Sequence, residues 1–168
     1  DNRIVEVQTS RDKVIWEKDA KYNYYEHGPL AQTIIGDKNV QGIDYIYTIQ
    51  GWLKGTNSEK VGADFDAGIN GHVRDEDTNY IAQDAFGFAL NYFKGDYNSI
   101  GSVANTTLDN KTFSYTQGLN DSGTTNNLYN GNIKEMVTAL IDQNQNFIDT
   151  QFNSYKYDQL NRISSRTS

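Results

Sequence analysis

Between residues 43 and 50 the side chains alternate with a period of two: Ile43, Tyr45, Tyr47 and Ile49 stand against Asp44, Ile46, Thr48 and Gln50. Successive residues of a strand point to opposite faces, whereas a helix brings together residues three and four apart, so this run predicts a β-strand. Ile46 makes both faces partly apolar, which predicts a strand inside its sheet. Trp52 and Leu53 resume the pattern after Gly51, so Gly51 reads as a bulge in one strand over 43–53, ended by Lys54-Gly55-Thr56-Asn57.

Shorter β-favouring runs surround this one. Residues 4–9 and 14–18 are joined by Ser10-Arg11-Asp12, and Tyr22-Asn23-Tyr24-Tyr25 meets His27-Gly28-Pro29 before Leu30 to Ile35. An aromatic run, a Gly-Pro breaker and a β-branched run predict a hairpin, and the fixed φ of Pro29 suits a turn or strand start. Residues 86–93 read as strand, closed by Lys94-Gly95-Asp96-Tyr97. Met136, Ala139 and Leu140 fit helical spacing, but β-branched residues and brevity favour a strand over 136–141. Asn130-Gly131, within Leu128 to Ile133, signals a type I′ turn or a bulge. Residues 56–84 and 98–127 read as irregular insertions, with one short helix from Asp77 or Thr78 through Ala82 and a short strand at Phe113-Ser114-Tyr115. The expected fold class is mainly β: antiparallel β-hairpins in an extended curved sheet, with irregular loops and at most one short helix, over a single segment 1–168.

The composition narrows the function classes. The apolar fraction of 36% lies below the roughly 45–50% of ordinary globular domains, so a compact two-layer core would be thin. Twelve Tyr, seven Phe and two Trp separate the chain from disordered sequences, which are poor in aromatics. A net charge of −7 opposes nucleic-acid binding, which needs a basic patch to displace counterions. No cysteine is present, so disulfides and thiolate metal sites are excluded. No stretch reaches the roughly 18–20 apolar residues of a membrane helix, so membrane insertion is not expected. The abrupt start at Asp1-Asn2-Arg3-Ile4 and the end at Ser164-Ser165-Arg166-Thr167-Ser168 read as a piece cut from a longer chain.

Candidate sites are few. His27 sits beside a turn, and His72 lies among Asp64, Asp66, Asp75, Glu76 and Asp77; both histidines read as solvated loop residues rather than acid–base or metal groups. Asp64, Asp66 and Asn70 are the calcium candidate, with oxygen ligands at alternate positions but without the bidentate Glu of an EF-hand loop. Ser102, Ser114 and Ser122 lack a nucleophile-elbow context. Trp16 and Trp52 read as packing residues on strands. No cofactor and no catalytic residue is expected. Acidic and aromatic residues on strands leave one alternative, a carbohydrate-binding or glycan-active extracellular β domain.

The end of the chain is the most specific part. Tyr155-Lys156-Tyr157-Asp158-Gln159-Leu160-Asn161-Arg162-Ile163 places tyrosines at period two, then an aspartate able to hydrogen-bond the backbone two residues on, then an asparagine that tolerates positive φ. This stretch resembles the Tyr-Asp repeat of the RHS, or YD-repeat, family, with Asn161 for the usual Gly. Residues Tyr22-Asn23-Tyr24-Tyr25-Glu26-His27-Gly28-Pro29-Leu30 look like a degenerate copy, with Glu26 for the Asp and Pro29 for the Arg. The stretches 42–55, 84–88, 92–97 and 128–133 look like the version found in large secreted proteins of Bacteroidota, so the resemblance covers most of residues 20–165. It implies a structural role for Tyr24, Gly28, Pro29, Tyr155, Tyr157, Asp158, Asn161 and Arg162. It also implies a β-cocoon wall, secreted or at the cell surface, enclosing or presenting a C-terminal toxin in bacterial competition. The implied partners are the rest of the same shell, an enclosed toxin domain and components of the type IX secretion system.

Overall fold

The computed structural model describes residues 2–61, 67, 81–97, 113, 127–144 and 146–168. Among these residues nine strands form one antiparallel sheet: β1 (Glu6–Thr9), β2 (Glu17–Tyr24), β3 (Leu30–Ile35), β4 (Gln41–Tyr47), β5 (Leu53–Thr56), β6 (Phe86–Asn91), β7 (Glu135–Ile141), β8 (Phe147–Tyr157) and β9 (Ile163–Thr167). Spatial order equals chain order, with β1 and β9 at opposite edges, so the sheet is open. The protein is mainly β and built of antiparallel hairpins, as expected. The described residues contain no helix. Residues 81–82 of the expected short helix carry no regular structure and the rest of it lies outside the described residues. The expected strand at 113–115 is described at Phe113 alone, which sits in a turn.

Three local expectations are corrected. Residues 43–53 do not form one bulged strand. β4 stops at Tyr47, the chain reverses over 48–52, and β5 returns antiparallel beside it. Gly51 takes φ 82°, and its N–H donates to the Thr48 carbonyl at 2.9 Å, so the glycine serves a turn. Residues 14–16 are loop rather than strand, because the Asp12 carboxylate accepts the N–H groups of Val14 and Ile15, each at 2.9 Å. β2 then runs unbroken from Glu17 through Tyr24, absorbing the separately expected tyrosine run. Asn130-Gly131 closes no hairpin. The flanking N–H groups of Leu128 and Lys134 donate to the carbonyls of Tyr92 and Asn91, both at 2.8 Å, so this stretch runs along the end of β6. Gly131, at φ 85°, backs onto Trp52, whose ring lies 3.3 Å from where a Cβ would stand.

The buried apolar side chains gather near the middle of the sheet. Ile46 on β4, Ala89 on β6 and Phe113 form a cluster against which Ala67 and Tyr97 pack. Val137 and Ala139 of β7 are also buried, while β9 is exposed along its whole length. Two glycines allow the chain to crowd there. A Cβ on Gly55 would stand 2.6 Å from the Phe88 carbonyl oxygen and 2.7 Å from the Phe113 ring, and one on Gly87 would overlap the Ser58 backbone. Asn57, at φ 59°, fastens the same region. Its side-chain oxygen accepts the Asp44 N–H and its amide donates to the Phe86 carbonyl, both at 2.8 Å. A buried amide needs such partners because burial removes its water.

Candidate functional site

Two arrangements stand out, a turn that recurs along the sheet and a buried charge cluster between β5, β6 and β7. The turn is clearest between β8 and β9. Tyr157 pairs with Ile163 just after a register shift. The Asp158 N–H donates to the Arg162 carbonyl at 2.9 Å and the Asn161 N–H to the Asp158 carbonyl at 3.0 Å. Asp158 Oδ1 accepts the N–H groups of Leu160 at 2.8 Å and Arg162 at 3.0 Å, and Oδ2 takes the guanidinium at 2.7 Å. Asn161 takes φ 60°, a left-handed conformation that asparagine adopts more readily than most residues.

The same path closes the β2–β3 and β4–β5 hairpins. Tyr24 pairs with Leu30 and Tyr47 with Leu53, each after the same register shift. The N–H groups of Tyr25 and Thr48 donate to the carbonyls of Pro29 and Trp52 at 2.9 and 2.8 Å. Gly28 and Gly51 hold the positive φ. Tyr25, not Glu26, therefore stands where Asp158 stands, which corrects the alignment of the degenerate copy; Pro29 does stand where Arg162 stands. The substitutions are chemically matched. Arg162 and Trp52 have an N–H for the side chain at the second position, and Asp158 Oδ1 and Thr48 Oγ1 accept it. Pro29 has no N–H, and Tyr25 needs no acceptor there. Asp142 repeats the aspartate role between β7 and β8, accepting the N–H groups of Asn144 and Asn146 at 2.8 Å each.

The first tyrosine of the turn also reaches across the sheet. The Tyr157 hydroxyl donates to the Ile133 carbonyl and the Tyr24 hydroxyl to the Ile4 carbonyl, both at 2.8 Å. In each case the neighbouring backbone bond comes from the residue two positions earlier: Tyr155 N–H to Lys134 and Tyr22 N–H to Val5, both at 2.9 Å. The phenol thus continues the contact with the neighbouring chain one step beyond that backbone bond. Tyr155 points its hydroxyl at the Met136 sulfur, 3.9 Å away. Backbone and guanidinium donors from Arg162 hold the Asp158 carboxyl below the ordinary carboxylate value, and backbone donors do the same for Asp142 and Asp12.

The second arrangement is centred on Lys54. Its Nζ stands 2.6 Å from Asn91 Oδ1 and 2.8 Å from Asp96 Oδ1. Asn91 Nδ2 approaches Glu135 Oε2 at 3.4 Å, and Glu135 Oε1 lies 3.5 Å from Lys134 Nζ. Asp96 Oδ2 accepts the Tyr92 N–H at 2.9 Å. Lys54, Asn91, Asp96, Lys134 and Glu135 are all buried. Backbone geometry brings them together. Asn91 and Glu135 face each other in the β6–β7 ladder, and a tight turn with Gly95 at φ 76° returns Asp96 to the end of β6. The Tyr92 hydroxyl, donating to the Leu53 carbonyl at 2.8 Å, pins that turn to β5. The Phe113 ring lies 5.8 Å from the Lys54 ammonium. Desolvation pulls the Lys54 pKa down, against the opposing pull of Asp96.

The lysine cluster was not among the sequence candidates. A lysine between Leu53 and Gly55, in a strand that tolerates little water, was the available signal, but its partners lie 37 and 42 residues away. Of the residues that were candidates, His27 is exposed and stacks on Tyr25 at 5.3 Å. Trp16 is exposed in the β1–β2 loop, whereas Trp52 packs against Tyr92 at 5.0 Å. Asp64, Asp66, Asn70, His72, Ser102, Ser114 and Ser122 lie outside the described residues. Among the described residues no group of three or more His, Asp or Glu side chains is placed to hold a metal ion. In comparisons with known proteins, no family model and no curated protein matches the chain.

Proposed function

We propose that this chain is a wall segment of a secreted RHS-type shell, structural rather than catalytic, whose parent encloses or presents a C-terminal effector. The observation that supports the reading is the serial sheet, β1 to β9 in chain order, three of whose hairpins share one tyrosine-led turn. Such a sheet adds hairpins at its edges without changing its centre. An open edge offers unpaired N–H and C=O groups to the next strand, which here would be more of the same wall. The exposed strand β9 and the weakly buried β1 suit surfaces that neighbouring wall covers. The proposed partners follow: the rest of the shell, the effector within it, and type IX secretion components that export the parent.

Electron microscopy of the longer polypeptide encoded around this segment tests the reading. The expected result is a hollow particle with this sheet in its wall and a variable domain encoded downstream of a shell-closing region. A solid particle in which β1 and β9 are covered by an unrelated fold would overturn it.

A further inference from the structure

We propose that Lys54 and Asn91 form an intramolecular isopeptide bond, with Asp96 and Glu135 carrying the protons. The reacting groups are already in contact, since Lys54 Nζ meets the Asn91 side-chain carbonyl at 2.6 Å. An amine held against a carboxamide reacts as a unimolecular pair, and fixed orientation is worth many orders of magnitude in effective concentration. Each flank of the pair carries a carboxylate. Asp96 Oδ1 lies 2.8 Å from Nζ, on the side of the nucleophile. Glu135 Oε2 lies 3.4 Å from Asn91 Nδ2, on the side of the leaving group.

The step balances without a co-reactant. Asp96 takes one proton from the Lys54 ammonium, freeing the lone pair that attacks Asn91 Cγ. Glu135 takes a second proton from the attacking nitrogen and delivers it to Nδ2. The Cγ–Nδ2 bond breaks, ammonia departs, and an Nζ–Cγ amide remains. The proton on Asp96 is later lost to solvent. No atom is oxidised or reduced.

The surroundings favour this chemistry over a permanent ion pair. Lys54, Asn91 and Glu135 are each at most 2% exposed, so little water competes as nucleophile. Burial draws the lysine toward its neutral, nucleophilic form. Asp96 is the poorer electrophile, because a carboxylate resists attack and this one already accepts from Lys54 and from the Tyr92 N–H. The bond would clamp β5 to β6 across the long connection between them. It depends on this local geometry and stands whether or not the shell reading does.

Mass spectrometry of the folded full chain tests it. Under denaturing conditions the intact mass is expected to fall short of the sequence mass by one ammonia. Digestion is expected to yield a branched peptide joining Lys54 to Asn91. Glu135→Gln keeps both reacting residues and is expected to restore most of the missing mass; Lys54→Arg is expected to restore all of it. Three results would overturn the proposal: an unmodified mass in folded protein, loss of water with the branch at Asp96, or loss of ammonia mapped to a succinimide at Asn130-Gly131.

Discussion

The pairs Arg162–Asp158 and Lys54–Asp96 have nearly the same length, 2.7 and 2.8 Å, yet occupy opposite environments. The first sits on the β8–β9 turn with side chains 72% and 31% exposed; the second lies in the middle of the sheet at 2% and 6%. Water screens the outer pair, so it adds little, and the turn around it is held as much by backbone donors to Asp158. The inner pair has given up its water. Its charges are tolerable because Asn91, the Tyr92 N–H and Lys134–Glu135 surround them. The comparison shows that distance alone does not rank these contacts. The outer hairpin can be rebuilt with other residues, as Thr48–Trp52 and Tyr25–Pro29 do, whereas the inner cluster works as a set.

Removing the lysine breaks the comparison most severely. Lys54→Met removes the cation that the buried carboxylates face before the Lys54–Asn91 bond forms, and that bond with it, and is expected to cost about 3–5 kcal/mol of folding stability, read from urea unfolding. Arg162→Ala is expected to shift the unfolding midpoint far less, because its pair is open to water. Equal effects would mean that the inner cluster is hydrated in solution.

Crowding comes next. Gly87→Ala places a methyl group into the Ser58 backbone, which the close approach of the two segments forbids. A loss of about 1–3 kcal/mol is expected, the usual cost of overpacking. Gly95→Ala provides the contrast: nothing lies near its Cβ position, and the penalty there comes from φ 76° alone. If Gly87→Ala unfolds no earlier than the native chain, the 57–61 segment does not lie against β6 in solution.

The comparison also separates what could be read in the sequence from what could not. Period-two alternation over 43–47 and the Tyr-Asp-x-x-Asn turn are local patterns, so β4 and the β8–β9 hairpin were legible. Gly51 was misread because a glycine after a strand suits a bulge or a turn, and only the Thr48–Trp52 backbone bond distinguishes them. Asn130-Gly131 was misread because its hairpin signal is local, while the flanking Leu128 and Lys134 N–H groups donate to Tyr92 and Asn91, far away in the chain. The Lys54 cluster was illegible for the same reason. Lys54, Asn91 and Glu135 become neighbours through two strand pairings that no local pattern specifies.

A smaller effect tests the tyrosine role. Tyr157→Phe removes the hydroxyl that donates to Ile133 and leaves the ring in place. The expected loss is about 0.5–1.5 kcal/mol. Tyr24→Phe, which loses the matching bond to Ile4, should behave alike, because the two turns share their geometry. A null effect at one site and a full effect at the other would show that the repeats are not equivalent.

The smallest change is brought about by acid. Asp158 in the fold titrates below its unfolded value of about 3.9, because the folded turn offers its carboxylate two N–H groups and a guanidinium. The unfolded chain therefore binds the proton more tightly. The stabilisation is fully present above about pH 4 and is lost as pH falls through the lower folded value. Asp142 and Asp12 act in the same direction, so acid should loosen three turns while pairing between β6 and β7 persists. NMR titration can follow the Leu160 and Arg162 amides, whose shifts should move with a midpoint below about 3.9, and Asp158→Asn should abolish that movement. A midpoint at or above the ordinary carboxylate value would mean that the turn does not hold the carboxylate in solution, and the outer hairpin would then owe its shape to Asn161 and the tyrosine ladder instead.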